Sequence, residues 1–258
     1  MNSIQELFKR KKHSLLSIYF TAGYPNLNST GEIIEALAAN GVDLVEIGIP
    51  FSDPMADGPV IQRSSQQAIR NGMTVSLLFE QISALSNPHA IPIVLMGYLN
   101  PVLQYGMTRF LDDCVRNNIA AVIIPDLPLA VFKEQYQPLF NEKGVKMIFL
   151  ITPQTPVSRV REIDMLTDTF IYMVTTPGTT GKRNVFEKDH HQYFDAVKKL
   201  ALQNPVLAGF GIHDRQGFNE VCRYVQGAII GSGFIQAISG ETGNIRHSIQ
   251  QFVQSIRP

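Results

Sequence analysis

Short apolar runs recur along the chain, and the segments between them are long enough for helices. The first run is Leu15-Leu16-Ser17-Ile18-Tyr19-Phe20; the others fall at 44–48, 93–97, 121–124, 146–150, 170–174, 206–208 and 227–230. Several are rich in β-branched residues and apolar on both faces, the pattern of parallel strands covered on both sides. Strands that alternate with helices, with no strand-only region, predict parallel βα units. Such units build either an open doubly wound sheet or a closed barrel. Eight of them in 258 residues predict an α/β protein folded as a single (β/α)8 TIM barrel over 1–258, since such barrels typically take about 250 residues.

Local signals punctuate the helices. An extra N-terminal helix is expected before the first strand, with Lys9-Arg10-Lys11-Lys12 as its solvated basic end. Ser29-Thr30-Gly31-Glu32 fits a capping box ahead of Ile33, Ile34, Leu37 and Ala38, and Gly41 suits a left-handed helix end. Thr155-Pro156 reads as an N-cap followed by proline at the first helical position. The stretch 177–192 is the longest without periodicity, and a segment of that kind in a compact domain is often a functional lid.

Composition narrows the class. Lys plus Arg and Asp plus Glu are 22 each, so the chain lacks the basic excess that binding to nucleic acid or an anionic membrane requires. Cys114 and Cys222 are isolated, and the only adjacent histidines, His190-His191, do not have metal-ligand spacing. These features lead us to expect a reducing compartment, no disulfide and no metal. The first residues hold no apolar core for a secretory signal, and no run approaches the ~18 apolar residues that span a bilayer, so a cytoplasmic protein is expected.

Barrel enzymes work at the C-terminal ends of their strands. In Val42-Asp43-Leu44-Val45-Glu46-Ile47-Gly48, alternation sends Val45 and Ile47 towards the helices and Leu44, Glu46 and Gly48 into the barrel. A carboxyl group there must be compensated or must titrate higher than usual. Glu46 is therefore either a general acid-base or a buried structural glutamate satisfied by hydrogen bonds. The next residues, Ile49-Pro50-Phe51-Ser52-Asp53-Pro54-Met55-Ala56-Asp57-Gly58-Pro59, are too rich in proline for regular structure. They place Asp53 and Asp57 on a loop over the barrel mouth, where each is a functional carboxylate or a turn residue. Gly178-Thr179-Thr180-Gly181, Gly209-Phe210-Gly211-Ile212 and Gly231-Ser232-Gly233 follow the sixth, seventh and eighth strands. Glycines at consecutive strand ends let backbone N–H groups approach a phosphate.

The run from Glu46 to Pro59 closely resembles the signature of the tryptophan synthase alpha subunit family. The resemblance continues through Tyr98-Leu99-Asn100-Pro101, Pro125-Asp126-Leu127-Pro128, Thr152-Pro153-Gln154-Thr155, Gly209-Phe210-Gly211-Ile212 and Gly231-Ser232. It implies a (β/α)8 barrel lyase that cleaves indole-3-glycerol phosphate to indole and glyceraldehyde 3-phosphate in tryptophan biosynthesis. It further implies an alpha2-beta2 heterotetramer with a beta subunit that carries the pyridoxal phosphate, this chain needing no cofactor of its own. By the resemblance Glu46 and Asp57 are the catalytic residues. Phosphate falls to Gly181, Gly211, Gly231 and Ser232, with Thr180 on a flexible loop, and Phe20, Tyr172 and Phe210 lie near the substrate. The chain departs from the family pattern at Pro177 and Thr179, at Leu129-Ala130, and at His213, where serine is usual. Two other readings fit part of the pattern. A Schiff-base aldolase on the same barrel needs a lysine at a strand's C-terminal end, and Lys146 begins its strand; a purely regulatory subunit has no use for a buried carboxylate at Glu46.

Overall fold

The computed structural model describes residues 2–87, 90–175, 188–209, 211–240 and 244–257. Its strands are β1 (Leu15–Thr21), β2 (Leu44–Gly48), β3 (Ile93–Met96), β4 (Ala121–Ile123), β5 (Leu150–Ile151), β6 (Ile171–Val174), β7 (Val206–Gly209) and β8 (Gly227–Ile230). All pair in parallel in the order β4-β3-β2-β1-β8-β7-β6-β5, and a parallel bridge between Val122 and Met147 joins the two ends of that order into a ring. Val122 donates to the Lys146 carbonyl at 2.8 Å and accepts from the Ile148 amide at 2.9 Å across this seam. The apolar run at 146–150 thus contributes the seam, while ladder pairing of β5 with β6 falls later, at Leu150 and Ile151.

Two apolar layers follow from the strand alternation. Ile18, Phe20, Val45, Ile47, Leu95, Val122 and Met173 face outward and pack with the surrounding helices. Leu15, Tyr19, Leu44, Val94, Ile123, Tyr172, Leu207 and Ile229 fill the barrel. The N-terminal helix Ser3–Arg10 is capped by Asn2 and closes the bottom of this inner core with Ile4, Leu7 and Phe8; the Phe8 ring lies 6.1 Å from that of Phe170. At its basic end Lys11 reaches Asp43 at 2.6 Å.

Two helix starts differ from the sequence expectation. The helix Ser29–Ala39 begins one residue early, with Asn28 in the cap position and no side-chain cap bond, so Ser29 to Glu32 form no capping box. Thr30 is instead turned inward, its hydroxyl accepting from the Gly23 amide at 3.1 Å. The helix Val157–Leu166 takes Pro156 as its cap, because Thr155 folds back to accept the Thr152 amide at 2.9 Å. Gly41 does end its helix with a left-handed φ of 75°. Among the described residues no helix is long and apolar enough to cross a membrane.

Candidate active site

Glu46 lies in the middle of β2, in register with Tyr19 on one side and Val94 on the other. It is fully buried. The Ser17 hydroxyl donates to Oε1 at 2.9 Å, and Oε2 has no hydrogen-bond partner. Burial pushes its pKa up to about 8, and the bond from Ser17 offsets only part of that rise. A structural glutamate would have both oxygens satisfied, so the unpartnered Oε2 favours the chemical role over the structural one.

Asp57 closes the loop after β2. Its amide donates to the Pro54 carbonyl at 3.1 Å, its carbonyl accepts from Gln62 at 2.9 Å, and the Tyr98 hydroxyl donates to its Oδ2 at 3.2 Å. The Tyr98 oxygen also accepts from the Ala56 amide at 2.9 Å, so one side chain positions both backbone and carboxylate. Asp57 is only 8 % exposed, a more enclosed setting than a polar loop suggests. Burial raises its pKa to about 6, against the lowering effect of the Tyr98 bond. Asp57 thus stays the more acidic of the two carboxyls. Asp53 and Met55 stand out in solvent, Met55 at 89 % exposure.

A narrow cleft opens here at the C-terminal ends of the strands. Asp57, Tyr19 and Tyr172 line it together with Gly211, His213, Gly231, Ser232 and the apolar Ile61, Met96 and Ile229. The two tyrosines sit over glycines of adjacent strands. A Cβ on Gly48 would lie 2.1 Å from the Tyr19 hydroxyl, and one on Gly209 would lie 2.2 Å from that of Tyr172. No other residue fits at either position without displacing a ring. Glu46 itself does not line the cleft, but both tyrosines feel its charge; their pKa values are raised chiefly by burial, then by Asp57 for Tyr19 and Glu46 for Tyr172.

The structure therefore brings Asp57, Tyr172, Gly211, Gly231 and Ser232 to one cleft, with Glu46 beside it. Phe20 is not there. It points outward into the helix layer, and its neighbour Tyr19 is the β1 aromatic that faces the cleft. Thr180, Gly181 and Phe210, like Pro177 and Thr179, lie outside the described residues. Sequence reasoning also passed over Tyr98 as a site residue. Its motif, however, meets another: the Leu99 amide donates to Asp126 at 2.8 Å, tying the loops after β3 and β4 together. Lys146 is paired with Asp168 at 2.6 Å, and Asp168 also accepts from Gln5 of the N-terminal helix, so this lysine sits at the barrel's bottom, away from the cleft. No group of three or more His, Cys, Asp or Glu side chains among the described residues is placed to hold a metal.

Comparison with known proteins points to one family. Residues 5–257 match the family model described as tryptophan synthase alpha chain. The tryptophan synthase alpha chain of Flavobacterium johnsoniae is 48% identical over 257 residues, covering 100% of both chains. That of Christiangramia forsetii is likewise 48% identical, over 100% of this chain and 99% of its own. Among solved structures, the tryptophan synthase alpha chain of Legionella pneumophila superposes with a TM-score of 0.88 at 26% identity, covering 100% of this chain and 96% of that one. A chain of tryptophan synthase from M. tuberculosis, in an aminoacrylate-bound form, gives 0.85 at 25% identity with both chains fully covered, at 100% each.

Proposed function

The chain belongs to the tryptophan synthase alpha chain family, and from that membership we propose that Glu46 and Asp57 carry the cleavage of indole-3-glycerol phosphate into indole and glyceraldehyde 3-phosphate. Breaking the bond at indole C3 needs three things: a proton on C3, stabilisation of the ring nitrogen as it becomes cationic, and removal of a proton from the glycerol hydroxyl. Near neutral pH a carboxyl titrating at about 8 is mostly protonated, and one titrating at about 6 is mostly ionised. Glu46 is then the acid that protonates C3, and its carboxylate afterwards takes the hydroxyl proton. Asp57 accepts the indole N–H and balances the growing positive charge. Two carboxyls whose environments separate their pKa values divide acid and anion roles in this way. The observation that carries the reading is the unpartnered, fully buried Oε2 of Glu46 beside a cleft that Asp57 lines. For Glu46 to reach C3, its side chain and the tyrosine rings at the cleft must rearrange as substrate enters.

The phosphate belongs at the far end, on the loops after β7 and β8, where Gly211, Gly231 and Ser232 line the cleft and Gly231 caps the helix Ser232–Ala237. We assign Gly181 and Thr180 of the neighbouring loop to the same end, and Phe210 and Tyr172 to the walls beside the substrate. Holding the phosphate orients the substrate and leaves bond cleavage to the carboxyls. Gly231→Asp tests this end better than a change at Gly211, whose φ of 77° would strain any other residue. A carboxylate at Gly231 meets the incoming anion by volume and by charge. Binding of glyceraldehyde 3-phosphate, measured by calorimetry, should fall by at least tenfold, with Tm modestly lowered because the new Cβ stands 3.2 Å from the Tyr19 ring. Undiminished binding would place the anion elsewhere.

The beta subunit is the partner of this chain, and we infer that it docks on the rim where Asp53 and Met55 stand exposed above Asp57. The pyridoxal phosphate of the pair is assigned to the beta subunit, with indole passing between the two sites in an alpha2-beta2 assembly. We read residues 1–258 as one barrel unit working in the cytoplasm. The reading is tested by incubating the isolated chain with indole-3-glycerol phosphate. Indole and glyceraldehyde 3-phosphate should appear in equal amounts without added metal or cofactor, and a chain that releases neither is not the lyase described here.

A further inference from the structure

Among the described residues that line the cleft, His213 is the one side chain able to carry a positive charge. It follows β7 by four residues and shares the phosphate end with Gly211 and Ser232. Its ring is turned towards the β8 loop: a Cβ on Gly233 would stand 3.7 Å from Nδ1 and 3.6 Å from the His213 Cα and carbonyl oxygen. Any larger residue at 233 would come into van der Waals contact with His213. Asp57, the acid of the cleft, lies on the loop after β2, and β8 and β1 intervene between β7 and β2 in the ring. The cleft is therefore polar in a definite sense, with an anion where the indole nitrogen becomes cationic and a potential cation where the substrate carries its phosphate. A phosphate dianion recognises a ring N–H of a protonated imidazole by a charged hydrogen bond, which an uncharged alcohol cannot match.

We propose that His213 is a specificity-determining residue that selects phosphorylated ligands by a direct charged contact with the phosphate. This rests on the assignment of the phosphate to the β7 and β8 loops, and it adds an imidazole to an end otherwise assigned to glycine backbone, Ser232 and Thr180. His213 is exposed at the cleft's mouth, so replacing it removes little packing. At a solvated site such a contact contributes modestly, about two- to fivefold in affinity.

The test compares the parent chain with His213→Gln and His213→Arg, using calorimetric titration with glyceraldehyde 3-phosphate and, separately, with indole. His213→Gln should weaken glyceraldehyde 3-phosphate by about two- to fivefold and leave indole unaltered, and His213→Arg, whose guanidinium is always charged, should restore most of the loss. In cleavage assays of His213→Gln the effect should fall on KM rather than kcat. Unaltered binding of glyceraldehyde 3-phosphate by His213→Gln would overturn the role of His213 while leaving the phosphate end where it is. Equal losses for indole and the phosphate would overturn it too, marking a general disturbance of the cleft. A parent chain that binds no glyceraldehyde 3-phosphate would overturn both this inference and the assignment beneath it.

Discussion

Glu46→Gln is expected to abolish nearly all cleavage while leaving a protein at least as stable as its parent at neutral pH. The amide keeps the size of the carboxyl and can still accept from Ser17, whose hydroxyl holds Oε1 at 2.9 Å, but it cannot deliver a proton to C3. Loss of an acid-base group costs about 10²–10⁴ in rate, and the loss should appear in kcat. The stability arm follows from linkage. A carboxyl raised from 4.5 to about 8 binds a proton more tightly in the folded chain than in the unfolded one. Its contribution to stability is fully present below pH 4.5 and is lost as pH climbs towards 8, which amounts to roughly 3 kcal/mol of loss at pH 7. Glutamine does not ionise and escapes that loss, less whatever its unpaired amide hydrogens cost. Thermal denaturation at pH 7 and pH 5 should show the mutant gaining relative to the parent at the higher pH. Cleavage within a few-fold of the parent would remove Glu46 from the mechanism.

Asp57→Asn should produce the second-largest loss, again of about 10²–10⁴, with the effect on kcat exceeding that on KM. Its charge matters most when the indole ring is cationic, so it stabilises the transition state more than the bound substrate. Asparagine can keep the bond from Tyr98 and the turn to Pro54, so the loop should hold its shape. A rise in KM with kcat unchanged would make Asp57 a binding residue only, and the anion that balances the ring nitrogen would have to be sought elsewhere.

How far the sequence reveals this site depends on which contacts are local. In β2 the inward residues are a carboxylate and a glycine among apolar neighbours, so strand alternation alone places Glu46 inside the barrel. In β1, Tyr19 and Phe20 are adjacent aromatics of similar size, and the signal that separates them is the polar pair Ser17 and Thr21 on the Tyr19 face against Leu16, Ile18 and Phe20 on the other. The register with β2, which sets Tyr19 opposite Glu46, and the close fit of its ring over Gly48 confirm Tyr19 as the inward ring. The enclosure of Asp57 was hidden for a different reason. The hydroxyl that covers it comes from Tyr98, 41 residues away at the end of β3, and nothing in the proline-rich loop announces that contact. The cap at Ser29 failed because the helix already begins there, with Asn28 in the cap position and Thr30 turned inward to accept the Gly23 amide. The barrel as a whole was legible because it rests on repetition, in which eight apolar runs reinforce one another, whereas a cap or an aromatic wall rests on a single residue.

The central claim is that a protonated Glu46 and an ionised Asp57 act together, and the pH dependence of indole release by the isolated chain tests it most directly. With Asp57 titrating at about 6 and Glu46 at about 8, kcat/KM should rise through the first value, peak near pH 7 and fall through the second. The acid limb should vanish from the residual activity of Asp57→Asn and the alkaline limb from that of Glu46→Gln. A parent profile that stays flat from about pH 5 to 9, or one whose limbs persist in both mutants, would contradict the account.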